Sequence, residues 1–289
     1  MASVHFRRRP IEPILLMTSS NLDSISQYLL AAFQSSKPLA ELARHLSPSL
    51  IELHTHQLNS QPLIDAQSPQ ISEVVCQLYR SWQHQHPEAG EVYWLIQSWR
   101  MLIWQPITLT LIAVYARQTS LDLSQFKQRL NLESGIVSGY LDLQLSSPTA
   151  ADDQQWVLNQ SCRQLSQLLQ DYRSALGQQG RLSEAVAMRL VKDQIANLML
   201  KLAAAFPQLN SVALSHLLSP WSEQLQLGPK SPFFDFELNP ERSTVLAKPS
   251  ACCQHYRRAD GDYCLNCPKL QRAELAQRLA AHKQSLQTC

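Results

Sequence analysis

The sequence predicts a mainly α protein with some β structure (α+β): a multi-helix body, small antiparallel β-hairpins and a C-terminal cysteine-rich module. Three observations predict it. Apolar residues recur at helical spacing through most of the chain. Only seven glycines are spread over 289 residues while Gln and Leu abound, a composition that suits helices. In two short stretches the period changes to alternation, and four of the seven cysteines (Cys252, Cys253, Cys264, Cys267) fall within sixteen consecutive positions. The expected division is a helical body over 1–247 and a module over 248–289.

Taken in order, Asn21 can cap a helix in which Leu22, Ile25, Leu29, Ala32 and Phe33 recur at helical spacing. Pro38 suits the first turn of a second helix, LAELARHL. Ser68 can cap PQISEVVCQLYRSWQ, with Pro69 at its first position. EVYWLIQSWRMLIW reads as a helix ended or kinked at Pro106, because proline has no N–H to donate and its ring crowds the preceding turn. ITLTLIAVYARQ continues as a buried segment, although 107–114 reads equally well as a strand. In GIVSGYLDLQL, Ser138-Gly139 sits between two short runs and signals a hairpin turn.

Two long amphipathic helices follow. The first, over 151–180, has acidic residues in its first turn and Gly177 or Gly180 at its end. Ser183 caps the second, which stops before Pro207, and the short link between them predicts an antiparallel pair. SVALSHLL and PWSEQLQL are expected as two shorter helices. FFDFEL and STVLAK form a second hairpin turning at Asn239-Pro240, and 268–286 a terminal helix with Leu270, Leu275, Leu279 and Ala280 on one side.

The net charge of +2 is too small to call for nucleic acid, and Arg7-Arg8-Arg9 reads as a solvated charge run. The run Ile14-Leu15-Leu16-Met17 is shorter than the about 7–15 apolar residues of a signal peptide. The most apolar window, Tyr93 to Tyr115, is interrupted by Gln97, Arg100, Gln105 and Pro106, so no transmembrane segment is expected. The chain reads as cytoplasmic, with a peripheral contact to an inner membrane left open. In a reducing compartment clustered thiols point to metal or redox chemistry rather than to disulfides.

Simple packing is a poor account of four cysteines in sixteen positions. Structural zinc favours two Cys-x2-Cys knuckles, and only Cys264 and Cys267 have that form. Neighbouring side chains on extended backbone point to opposite faces, so the sulfurs of Cys252 and Cys253 diverge. The two irons of a [2Fe–2S] cluster offer four thiolates a wider target than one zinc ion does. The spacing favours an iron–sulfur module and leaves zinc open.

The pattern Cys-Cys-x10-Cys-x2-Cys, followed by Pro268 and set near the C-terminus after a largely helical body, resembles the FhuF-type ferric siderophore reductases. CCQHYRR and CLNCPKL are similar to that family's surroundings of its cysteines. The likeness is sharp over some twenty residues; elsewhere only the helical layout is shared. It implies that Cys252, Cys253, Cys264 and Cys267 bind a [2Fe–2S] cluster. It further implies that the protein reduces the Fe(III) of a ferric siderophore to Fe(II), releasing iron in the cytoplasm. Such a cluster carries one electron, and Fe(II) is held far more weakly than Fe(III) by the oxygen donors of a siderophore.

No catalytic group is nominated beyond those four cysteines. Arg257 and Arg258 are candidate substrate-binding cations for an acidic chelate. No Gly-x-Gly-x-x-Gly follows an expected strand, so electrons are expected from an external donor such as a ferredoxin or flavin reductase. The alternative is a non-enzymatic protein with an iron–sulfur sensor or a structural four-cysteine zinc site. His54 and His56, and His84 and His86, form His-x-His pairs without a third ligand at suitable spacing. Cys76 and Cys162 lie on apolar helical patterns as buried small hydrophobes, Cys289 reads as a free thiol, and Trp94, Trp99 and Trp104 as core or pocket wall.

Overall fold

The computed structural model of the protein describes residues 51–53, 61–145, 154–205, 209–239 and 242–287. The helices expected from Asn21 and from Pro38, the pair His54 and His56, and Cys289 lie outside them. The described chain is mainly helical with small antiparallel sheets, as its periodicity predicts. No helix among the described residues is long and apolar enough to cross a membrane.

The short strand β1 (Leu63–Asp65) leads into helix α1 (Ile71–Gln85). Ser68 acts earlier than expected. Its carbonyl accepts the Ile71 N–H and its Oγ accepts the Gln70 N–H at 3.2 Å, so Ser68 and Pro69 form a turn that precedes the helix.

Helix α2 (Glu91–Arg117) runs unbroken through Pro106, which overturns both the helix end and the strand alternative over 107–114. Its residues are buried on nearly every side, as an all-round apolar helix requires. The cost of a mid-helix proline is met from outside the helix. Pro106 leaves the Leu102 carbonyl without its usual donor, and Gln128 Nε2 donates to that oxygen at 2.9 Å. Gln128 is fully buried. It also donates to the Tyr172 hydroxyl at 2.9 Å and accepts from Gln105 Nε2 at 3.0 Å.

Strand β2 (Leu121–Asp122) precedes β3 (Lys127–Asn131), which pairs with β1 on one side and with β4 (Ile136–Leu141) on the other; β5 (Gln144–Leu145) pairs with β2. The expected hairpin turn at Ser138-Gly139 is not one. The chain turns at 132–135, where Asn131 Oδ1 accepts the Ser134 N–H at 3.0 Å and Gly135 has φ +61°. Gly139 lies within β4 at φ +82°, where an added Cβ would stand 2.7 Å from Leu53 Cδ1. Its turn-like signature marks an irregular strand and a close approach.

Helices α3 (Gln154–Leu176) and α4 (Glu184–Ala205) are the expected long pair. Ser183 Oγ accepts the Val186 N–H at 3.4 Å, and Gly177 follows the last residue of α3. They do not pack chiefly on each other, as a short link between helices predicted. Both lie against α2, and Trp99 of α2 donates Nε1 to the Ala187 carbonyl of α4 at 3.0 Å. The buried apolar surface of α2 outcompetes a direct pairing of two half-polar helices.

Helix α5 (Ser211–Gln224) is one helix where two were expected. Asn210 caps it, with Oδ1 accepting the Ala213 N–H at 2.9 Å. It continues past Pro220 to bury Trp221, whose Nε1 donates to the Tyr115 hydroxyl at 2.8 Å. Buried Lys192 fastens the following link, donating to the carbonyls of Gly228 at 2.7 Å and Lys230 at 2.6 Å. The second hairpin, β6 (Phe233–Asn239) and β7 (Arg242–Ala247), forms where alternation placed it and lies against α4 and α5. Helix α6 (Arg272–Gln287) ends the described chain, and the cysteine segment is held between β7 and α6.

Candidate metal centre

Strand β7 delivers the chain to Ser250 and Ala251, whose amide N–H groups both donate to Asp193 of α4, at 2.6 and 2.9 Å. Burial raises the Asp193 carboxyl above the usual carboxylate range, and those two N–H groups oppose the rise. Cys252 and Cys253 follow. Gln254 then takes a left-handed conformation at φ +59°, reversing the chain, and its N–H donates to Cys252 Sγ at 3.4 Å. A short 3-10 turn, His255–Arg257, leads on to the second knuckle. There Cys264-Leu265-Asn266-Cys267 closes as a turn, with the Cys267 N–H on the Cys264 carbonyl at 3.1 Å. The Asn266 side-chain amide donates to the Ala247 carbonyl, tying this turn back to β7.

The body reaches the module through polar groups. Gln97 of α2 donates Nε2 to the Cys253 carbonyl at 2.7 Å, and the Ala259 N–H donates to Glu88 at 3.0 Å. Arg278 of α6 holds the Tyr263 carbonyl at 2.9 Å, so the terminal helix braces the same loop. Tyr256 and Tyr263 stack with centroids 4.6 Å apart, and Lys269 lies over the Tyr256 ring.

All four clustered cysteines come together, and they do so as two pairs. Cys252 Sγ lies 3.9 Å from Cys267 Sγ, and Cys253 Sγ lies 3.7 Å from Cys264 Sγ. Two thiolates on one tetrahedral metal with bonds of about 2.3 Å stand about 3.8 Å apart, so each pair is spaced for one metal. A single zinc would need that spacing among all four sulfurs. Among the described residues no group of three or more His, Cys, Asp or Glu side chains is placed to hold one ion. Two such pairs suit a two-iron cluster, which would take four thiolates shared between its irons. Burial lifts the Cys252 thiol to about 11, and burial with the neighbouring Cys253 sulfur lifts Cys264 to about 11, opposed by Arg100. Thiols so crowded ionise when a cation shares their charge, which is what a metal supplies.

Cys267 is buried while Cys264 is exposed, so the Cys253–Cys264 pair faces outward. Beside it a cleft of about 240 Å³ runs between α2 and α4, lined by Arg100, Asp193, Gln194, Asn197, Cys253 and Cys264 among others. Leu190, Asp193, Gln194 and Asn197 share one face of α4 at helical spacing. Sequence reasoning missed Arg100, Gln97 and Asp193. Periodicity marks them as helical but says nothing of what they face.

Arg257 and Arg258 stand elsewhere. Arg257 Nε donates to Gln254 Oε1 at 2.9 Å, and Arg258 pairs with Asp260; neither lines the cleft. His84 is exposed, and His86 stacks on Trp82 and meets Tyr93 edge-on, so this pair converges on no shared ligand. Trp94, Trp99 and Trp104 each donate an indole N–H to a backbone carbonyl, a packing role. Cys162 is buried among helices with its thiol raised to about 12 by burial, and Cys76 stands apart on α1.

No solved structure matches the chain. Residues 250–269 match the family model of the FhuF 2Fe-2S C-terminal domain, and the cysteines at 252, 253, 264 and 267 fit its spacing. Over residues 250–269 the chain is thus similar to the FhuF 2Fe-2S C-terminal domain, a likeness that indicates a [2Fe–2S] cluster.

Proposed function

We propose that this protein is a cytoplasmic ferric siderophore reductase, with Cys252, Cys253, Cys264 and Cys267 as the ligands of its cluster and 1–247 as the body that seats the chelate. The observation that carries the reading is the cleft that opens on the outward pair Cys253 and Cys264. When bound, the cluster supplies a one-electron carrier. One electron enters from an external donor, a ferredoxin or flavin reductase, and one leaves to the ferric ion, which becomes ferrous. No bond within the chelate is made or broken, and iron leaves because its oxygen ligands hold the ferrous ion weakly.

The residues of this chain position the exchange. Asp193 and Gln97 fix the Cys252–Cys253 end of the turn against two body helices. The cleft, at about 240 Å³, falls below the about 300–1,000 Å³ of pockets that enclose a whole ligand. It therefore takes one arm of the chelate and leaves the rest at the rim near Asn197. Arg257, outside the cleft, adds positive charge at longer range, while the charge of Arg258 is offset by Asp260.

The test is an absorption spectrum of anaerobically purified protein before and after dithionite, followed by a ferric trihydroxamate with a ferrous-specific chromophore present. The expected result is visible bands that bleach on reduction and return as ferrous iron appears. Bands that bleach but do not return with any ferric chelate would leave an iron–sulfur sensor, and a colourless protein holding one zinc would leave a structural site.

A further inference from the structure

We infer that the cleft between α2 and α4 selects ferric chelates of net negative charge, and that Arg100 is the residue that selects them. The inference rests on the reductase reading above and names its substrate class. Arg100 is a half-buried cation on α2 whose Nη1 donates to Gln97 Oε1 at 3.0 Å, and it has no carboxylate partner among the described residues. The carboxylate among the cleft's lining residues, Asp193, is turned to the Ser250 and Ala251 N–H groups, so its oxygens are already engaged. Gln194 and Asn197 offer side-chain amides from adjacent turns of α4, with no hydrogen bond to another described residue. Ile103 and Leu190 supply apolar wall.

A guanidinium fork flanked by amides is the chemistry that recognises anionic oxygen pairs, the carboxylate or catecholate arms of a chelate. The need for a cation at this point is electrostatic. Four thiolates make the neighbouring turn negative, and an anionic chelate brought against it is repelled. Arg100 lines the same cleft as Cys253 and Cys264 and offsets that repulsion. A neutral trihydroxamate meets no such barrier and gains little from the cation.

The test uses the full chain loaded anaerobically and two redox-inert probes, the anionic gallium(III) tris-catecholate and a neutral gallium(III) trihydroxamate, with binding read by calorimetry. Arg100→Gln is expected to weaken the anionic probe about tenfold and the neutral one by less than about twofold, with Arg100→Lys recovering part of the loss. Reduction of the two iron(III) counterparts should show the same split, and the potential is measured beside it. Equal weakening of both probes, or slowing of both chelates in step with a lowered potential, overturns the inference and leaves the reductase standing. Wild-type protein that neither binds nor reduces either chelate overturns both.

Discussion

Asp193 shows how much of the cysteine turn is set by a residue distant from it in sequence. Its carboxylate gathers two consecutive amide N–H groups immediately before Cys252, fixing where the sulfurs begin. Asp193→Ala leaves both N–H groups without their acceptor and should cost about 2 kcal/mol of local stability. The expected readout is a lower iron content per chain with helical circular dichroism retained. The cysteines themselves divide by pair. Cys253→Ser and Cys264→Ser should alter the same iron in the Mössbauer spectrum of the reduced protein, and Cys252→Ser and Cys267→Ser the other. One iron responding to both neighbours, Cys252 and Cys253, would refute the pairing. Cys76→Ser, on a separate helix, should leave iron content unchanged.

The clearest dependence of one element on another is that of α2 on β3. Gln128 serves the carbonyl that Pro106 orphans, together with Gln105 and Tyr172. Gln128→Leu should therefore destabilise the protein by about 2–4 kcal/mol, since three buried polar groups lose a partner. In a Pro106→Ala background the helix supplies its own N–H to Leu102, and the same change should cost about 1 kcal/mol less. Equal costs in urea unfolding of both backgrounds would disprove the coupling. Local rules were legible where the deciding residues are neighbours: the cap at Ser183, the hairpin of β6 and β7, the long α3 and α4. They failed at the helix end placed at Pro106, at Pro220 and at Ser138-Gly139; at Pro106 and Gly139 the deciding partner, Gln128 or Leu53, is distant in sequence. The four-cysteine turn was legible for the same reason that Arg100 was not: its donors share sixteen consecutive positions, whereas a cleft is assembled across helices.

At the scale of the molecule, we propose that the cysteine module leans on a body whose core folds without it. Its links to the body described above run through Asp193, Gln97, Glu88 and Ala247, whereas the buried core is centred on α2. Stripping the metal anaerobically should leave far-UV circular dichroism nearly unchanged while opening 248–271 to protease, a local unfolding. Cooperative loss of all helical signal would instead mean that 1–247 and 248–289 are one folding unit. A last consequence lies in the file of hydrogen bonds from Arg100 Nη1 to Gln97 Oε1 and from Gln97 Nε2 to the Cys253 carbonyl. On the proposed reading, a chelate that drew Arg100 away would loosen the amide that holds the Cys253 peptide. Occupancy and oxidation state then share one thermodynamic cycle: by whatever factor a bound chelate favours reduction of the centre, reduction tightens the grip on that chelate.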